Sequence, residues 1–438
     1  MGLVALIVVT FSGLLGPFDL LTFLHAGRTV VSGASPYSAS TSSLFRSGHA
    51  FVYPIFVAWL FAPLALLSTG LATVIYLVGS VAAVVASCWL LGTGGLRPSA
   101  LILTASTTIV GLQMGTLNAA LLLGVALCWH WRDRHPVWCG VLLGVVATAK
   151  LFLMPLLAWP ALARRYRSCA GAAASAVALL VAGALFGPLG PLGYVRLLAD
   201  LGGREQVSSW SLASLIGSLG VRPSVADAMV VGAVGSVLVL VWNLRDSPRH
   251  LRDDQLLGLT VACSLLLSPI VWSSYLLLIS VPLLLNTSGN APLAAWALAS
   301  WLMVTPDAAS PRRVAVGLIG TVVVGALAAG PEIKAVLDRL TRRGSRRVLI
   351  LSFLAATGSL VVLVCLPARI RSPVPAVLSV VVAGFASWRS PKAKPKPKPK
   401  PKEGLSGRTA RRDPPVAGPG YPVAAGIEAR ERLTQSSS

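Results

Sequence analysis

The chain is short of charge. Only 12% of its 438 residues are Asp, Glu, Lys or Arg, about half the share of an ordinary globular domain. Acidic residues are the scarcer kind, 15 against 37 basic ones. Histidines number five and cysteines six. No His/Cys/Asp/Glu group has metal-ligand spacing, so neither a metal nor another cofactor is expected. No Gly-rich phosphate loop appears in context, and no alternating strand and helix pattern exists to carry one. A cytosolic nucleotide or nucleotide-sugar substrate is therefore not expected. No Ser, His and Asp share one face. Cys88, Cys128, Cys139, Cys169, Cys263 and Cys365 lie in or beside apolar segments and read as small buried apolar residues.

What is present in excess is apolar sequence. Hydrophobic residues make up 55% of the chain and the mean hydropathy is +0.76. A soluble protein of this size cannot hide that much apolar surface, because its own surface must stay largely polar. Apolar runs recur from residue 2 to residue 388, at about 2–16, 51–68, 71–91, 99–112, 116–131, 137–150, 151–163 and 169–187, then 225–243, 256–271, 272–285, 291–305, 313–330, 348–366 and 374–388. Many are long enough to cross a bilayer core of about 30 Å as a helix. The expectation is an all-α polytopic membrane protein with 11–14 membrane segments, occupying residues 1–388. No basic region precedes Leu3–Leu15, so that run reads as a crossing and not as a cleavable signal, with the true start left open upstream.

Net charge +22 invites a nucleic-acid reading. Its distribution argues against one. The tail 389–438 carries 12 Lys/Arg against 4 Asp/Glu, and most other basic residues sit in short clusters between apolar runs. That is the positive-inside pattern. Arg164–Arg167, Arg245–Arg252, Arg339–Arg347 and the tail read as cytoplasmic. The mixed segments 17–50 and 188–224 then fall outside. Counting 99–112 as a full crossing breaks the alternation, so that run is expected to be re-entrant or partly inserted. The Lys/Pro alternation from Pro391 to Lys402 reads as an extended, disordered cytoplasmic segment able to touch anionic lipids.

Scarcity makes each ionisable group readable. Asp19 is the sole carboxylate in the first 132 residues. It follows the first apolar run, on a stretch that forms an amphipathic interfacial helix, and it is a candidate general base. The plainer alternative is a solvated Asp capping a helix end. Lys150 is the sole lysine before residue 334. It falls between two apolar runs, on the side opposite the basic clusters. It reads either as a snorkelling lysine or as an anion site for a lipid phosphate. Gln113 and Asn118 interrupt another apolar stretch and either cap a helix or bond a polar ligand. In 188–224, Arg196, Arg204, Glu205 and Trp210 suit a phosphate and a sugar ring, and suit an ordinary polar loop equally.

These residues resemble glycosyltransferase family 87, the polyprenyl-phosphate-mannose-dependent mannosyltransferases of actinobacteria. The resemblance is carried in order by Asp19 to Arg28, Gly33-Ala-Ser-Pro36-Tyr37, Phe51-Val-Tyr53-Pro54 and Phe61-Ala-Pro63-Leu64. Gln113-x4-Asn118, Gly140-x3-Gly144-x5-Lys150 with Pro155, and Ser268-Pro269-x2-Trp272 continue it. It covers about residues 10–285. Two departures stand out. Ile55 occupies the place of a second proline after Tyr53-Pro54, and Ser274 and Tyr275 stand where relatives often carry histidine.

The resemblance implies the GT-C architecture and an inverting transfer of mannose from a polyprenyl phosphate to a lipid-linked glycan. Acceptors of the phosphatidylinositol mannoside, lipomannan or lipoarabinomannan type are implied, on the outer face of the plasma membrane. It makes Asp19 the catalytic residue and matches Lys150 to the donor phosphate, where Arg28, Arg204, Arg46 or Arg196 are candidates to assist. Tyr37, Tyr53, Gln113, Asn118 and Trp272 become substrate-binding candidates. The rival readings are a transporter or lipid flippase, which shares the segment count, a regulatory subunit acting through the basic tail, and transfer of a different sugar such as arabinose.

Overall fold

The computed structural model describes residues 17–38, 42, 50–93, 95–205, 209–221, 225, 228, 232, 235, 249–286, 289–301, 319–330, 332 and 373–389. The expected segments at 2–16, most of 225–243, 348–366, and the basic tail beyond Arg389 lie outside these. Among the described residues the fold is all-α, with no strand. Its helices are α1 (Phe18–Val31), α2 (Ile55–Ala65), α3 (Thr69–Cys88), α4 (Leu96–Thr104), α5 (Ser106–Met114), α6 (Asn118–Trp131), α7 (Pro136–Ala149), α8 (Ala158–Leu162) and α9 (Tyr166–Phe186). Then follow α10 (Gly190–Glu205), α11 (Leu212–Ser218), α12 (Arg249–Leu267), α13 (Ser280–Asn286), α14 (Ala291–Ser300), α15 (Ile319–Gly330) and α16 (Pro373–Arg389). Tight 3₁₀ segments, Leu151–Leu157 and Ser273–Ile279, lead into α8 and α13.

Two helices have the length and apolarity of a membrane span. One is α3, which continues through a π-helical turn to Gly92 for 24 residues; the other is α9, with 21. At about 1.5 Å per residue both exceed a 30 Å core. Their faces are sorted in the membrane sense. On α3, Leu71, Val74, Ile75 and Val78 point outward, while Ala72, Ser80, Ala83 and Ser87 are buried. On α9, Val177, Leu180, Val181 and Leu185 are exposed, and Ser168, Gly171, Ala172 and Ala176 are buried. Large side chains face lipid and small ones let backbones approach, because lipid tails already satisfy apolar groups. Most of the other apolar runs appear as helices of 10–17 residues, among them α2, α7, α14 and α15. Pro155, the Ser268-Pro269 break and the 3₁₀ segments shorten them.

The run 99–112 is not one helix. It breaks at Ala105, whose backbone is extended (φ −63°, ψ 136°), into α4 and α5 of nine residues each. Helices α5 and α6 then form a bent pair at 116°. Gly115 makes that bend possible. Its φ of +67° favours glycine, and a Cβ there would sit 2.6 Å from Leu20 Cβ at the start of α1. The Thr116 amide donates to Gly111 O at 2.9 Å, closing the end of α5.

Glycines also set the pairing of α7 with α9. A Cβ on Gly140 would collide with the Ser168 carbonyl oxygen, and one on Gly144 with Ser175 Oγ. The Gly140-x3-Gly144 spacing is thus a packing seam that fixes where α7 ends, at Lys150. The other end of α7 meets a polar cluster. Arg165 pairs with buried Asp253 and with Asp133 at 2.8 Å, and donates to Arg132 O at 2.8 Å. The fourteen residues of α7 place that cluster about 21 Å from Lys150, on the far side of an apolar layer.

Candidate active site

Helix α1 begins immediately after Pro17, and Asp19 stands in its first turn. The unpaired amides of a helix start favour a negative charge there. One face of α1 is anchored by Leu20, Phe23 and Leu24, all at most 1% exposed. Phe23 stacks on Phe61 of α2 (4.7 Å) and meets Tyr53 edge-on (4.9 Å). Lys150 stands at the opposite kind of helix end, the C-cap of α7, with extended backbone (φ −143°, ψ 98°). Carbonyls gathered at a helix end favour a cation. Two helix termini of opposite polarity therefore face one space.

That space is a cavity of about 880 Å³, within the size range of a small-molecule site. Its charged lining residues are Asp19, Lys150 and Glu205. Its apolar and aromatic walls include Phe18, Phe152, Leu198, Leu201, Leu267 and Ile270. The two mixed segments read from sequence meet here. Tyr194 of α10 donates from its hydroxyl to Val52 O at 3.2 Å and packs near Tyr37 (6.0 Å between ring centroids). The loop before α11 is tied to the Ser268-Pro269 break: Trp210 N–H donates to Val271 O at 2.7 Å, and Ser209 Oγ donates to Pro269 O at 3.2 Å.

Lys150 is only 5% exposed. Its Nζ donates to Asn118 Oδ1 at 3.0 Å and lies 3.6 Å from the centroid of the Tyr275 ring. Tyr53 and Phe152 present further rings at 5.9 and 5.8 Å. No carboxylate lies within ion-pairing distance of it among the described residues. Asp19, half-buried in the cavity wall, makes no hydrogen bond to a described residue. Burial pushes its carboxyl up from the ordinary carboxylate range to about 6, and the Lys150 charge opposes that rise. A carboxylate so tuned can accept a proton near neutral pH.

Of the sequence candidates, Asp19, Lys150, Tyr53, Glu205, Trp210 and Trp272 line the cavity. Tyr37 stands behind the lining and donates its hydroxyl to Tyr53 O at 2.9 Å. Asn118 is fully buried, lies outside the lining and is linked to the cavity through its bond to Lys150. Gln113 lies on the same bend but outside the lining. Arg28 is also outside it. Its guanidinium donates to Ala65 O (3.0 Å) and Thr69 Oγ1 (3.3 Å), capping the end of α2. The donor-phosphate role expected of Arg28 therefore finds no support in its position. Arg204 is likewise not in the lining and lies 3.8 Å from Glu205. Arg196 is exposed, and Arg46 lies outside the described residues.

Sequence reasoning gave Tyr275 no role, yet it lies directly against Lys150. It also left Met114, Thr116 and Tyr194 unassigned, all of which line the cavity. Tyr275 was marked only as a departure from the histidine relatives often carry, and the other three only by proximity to the polar interruptions at Gln113–Asn118 and 188–224.

An all-α membrane fold whose apolar-walled cavity is lined by one cation, Lys150, and two carboxylates, Asp19 and Glu205, has the groups a membrane enzyme needs. The family is shown by comparison. The model of glycosyltransferase family 87 matches residues 51–269, and the chain belongs to that family. It is a membrane glycosyltransferase. No curated protein and no solved structure shows significant similarity to the chain.

Proposed function

We propose that this enzyme transfers mannose from a polyprenyl-phosphate donor to a lipid-linked glycan of the phosphatidylinositol mannoside, lipomannan or lipoarabinomannan type. The observation that carries this reading is Asp19 and Lys150 facing one apolar-walled cavity. The donor's prenyl chain lies in lipid and its phosphate meets Lys150. An acceptor hydroxyl gives its proton to Asp19 while its oxygen attacks the anomeric carbon. The carbon–oxygen bond to phosphate breaks, and the phosphate keeps the electron pair. Lys150 offsets the negative charge growing on it. Attack opposite the leaving group inverts the anomeric centre, so a β-linked donor gives an α-mannoside. Tyr53 and Trp272, both in the lining, offer faces to a sugar ring.

The cavity would open on the extracytoplasmic side of the plasma membrane, with residues 1–388 as the catalytic membrane unit and 389–438 as a disordered cytoplasmic tail near anionic lipids. No nucleic-acid partner is part of this reading. The arrangement of charge supports it: the Arg132/Arg165 cluster and Lys150 stand at opposite ends of α7. The test is transfer of label from radiolabelled polyprenyl-phosphate mannose to extracted lipid acceptors, using membranes that contain the full chain. Labelled glycolipid from wild type and none from Asp19→Asn is the expected result. Absence of transfer by folded wild type with mannose, but transfer from the corresponding arabinose donor, would change the sugar. Absence with both donors would overturn the reading.

A further inference from the structure

An ammonium group has three N–H bonds, and the surroundings of Lys150 take up two directions. One is the bond to Asn118 Oδ1 at 3.0 Å. The other is the face of Tyr275, 3.6 Å from Nζ to ring centroid. Both partners are held in their turn. Asn118 donates from Nδ2 to Thr116 Oγ1 at 3.0 Å, and its oxygen faces the lysine because an ammonium can only donate. Thr116 O accepts from the Tyr76 hydroxyl at 2.8 Å, tying the bend to α3. The Tyr275 ring stacks on Phe152 at 4.7 Å and 9°.

Neither partner carries negative charge. That is the informative feature, because burying a cation is costly and a carboxylate is the commoner solution. A carboxylate at this point would neutralise the lysine and compete with any anion arriving from the cavity. An amide oxygen and an aromatic face offset the cost of burial and leave the charge unspent. They also hold Nζ in place, with its remaining donor directed away from both.

We infer that Asn118 and Tyr275 are positioning residues: together they present Lys150 as a pre-aimed cation, not ion-paired to any described carboxylate, to the phosphate of the donor. This rests on the reading above that Lys150 receives that phosphate. A packing role alone makes a different prediction, since any substitution that preserved the fold would then leave donor binding intact.

Four variants of the full chain in lipid nanodiscs decide between them, with KM for polyprenyl-phosphate mannose and kcat measured at fixed acceptor and Tm as the control. Asn118→Asp is nearly isosteric and supplies the competing carboxylate. It should raise donor KM by about tenfold or more without lowering Tm. Tyr275→Leu should raise donor KM by about threefold or more, and Tyr275→Phe should restore most of that loss because the ring face is what matters. Wild-type donor KM in folded Asn118→Asp and Tyr275→Leu would overturn the inference. So would a Tyr275→Phe variant as impaired as Tyr275→Leu. Lys150→Met separates the two layers. If it raises donor KM while Asn118→Asp and Tyr275→Leu do not, only the positioning inference fails. If it leaves donor KM unchanged, the assignment of Lys150 to the phosphate fails.

Discussion

Asp19→Asn is the sharpest perturbation available, because it changes a charge and almost no volume. Asp19 makes no hydrogen bond to a described residue, so the amide deprives no neighbour of a partner. Its helix is anchored elsewhere, by Leu20, Phe23 and Leu24. The fold should therefore survive. The chemistry should not, since an amide cannot accept the proton of the attacking hydroxyl. Loss of a well-placed general base typically costs about 10²–10⁴-fold in rate. That is about 3–5 kcal/mol of barrier, at about 1.4 kcal/mol per tenfold. The assay is initial-rate transfer of label from polyprenyl-phosphate mannose at saturating donor. Thermal unfolding in the same detergent is the control, with a Tm shift of no more than a few degrees expected. Donor KM should stay near wild type, because the phosphate end of the site is untouched. A folded Asp19→Asn enzyme with kcat within about fivefold of wild type would refute the assignment of the base.

Three further outcomes follow from the geometry. The pH dependence of kcat/KM should show an acid limb near pH 6, activity falling as pH drops and Asp19 takes up a proton. Lys150→Met removes the charge that lowers that pKa, so the limb should move to higher pH; a limb that stayed or moved down would contradict the pairing of these groups in one field. Arg28→Gln should leave donor KM unchanged and lower Tm, because Arg28 caps α2 and does not line the cavity; a rise in donor KM would return it to the site. Gly140→Val should abolish folding or active yield, since a side chain there meets the Ser168 carbonyl backbone across the α7–α9 seam; a stable, active variant would show that the seam can open.

Class and membrane habit are properties of composition, and they were legible at once. A chain with 12% charged residues and a mean hydropathy of +0.76 has only the bilayer as a solvent for its surface. The alternation of basic clusters also marked 99–112 as irregular, expected to be re-entrant or partly inserted, and the backbone divides there at Ala105. Asp19 and Lys150 announced themselves by rarity: a charge in an apolar sequence needs a reason.

Rarity says nothing about partners, however. Arg28 stood as a candidate at the donor phosphate and Asn118 as a substrate-binding amide of the Gln113-x4-Asn118 motif. The packing of α1 on α2 carried one to a helix end, and the α5–α6 bend carried the other beneath Lys150. Tyr275 stood out only as a place where relatives often carry histidine, and its role stayed hidden because an aromatic residue in a membrane protein is ordinary until a cation is found against its face. The sequence by itself determined the solvent, the helical class, the family and the two charges on which chemistry can rest. Only the tertiary structure decided that residues 19, 150 and 275 line one cavity with 118 bonded to 150, because contacts between segments far apart in sequence depend on where helices cross. Those crossings are set by glycine seams and bends that are short-range in space and silent in composition.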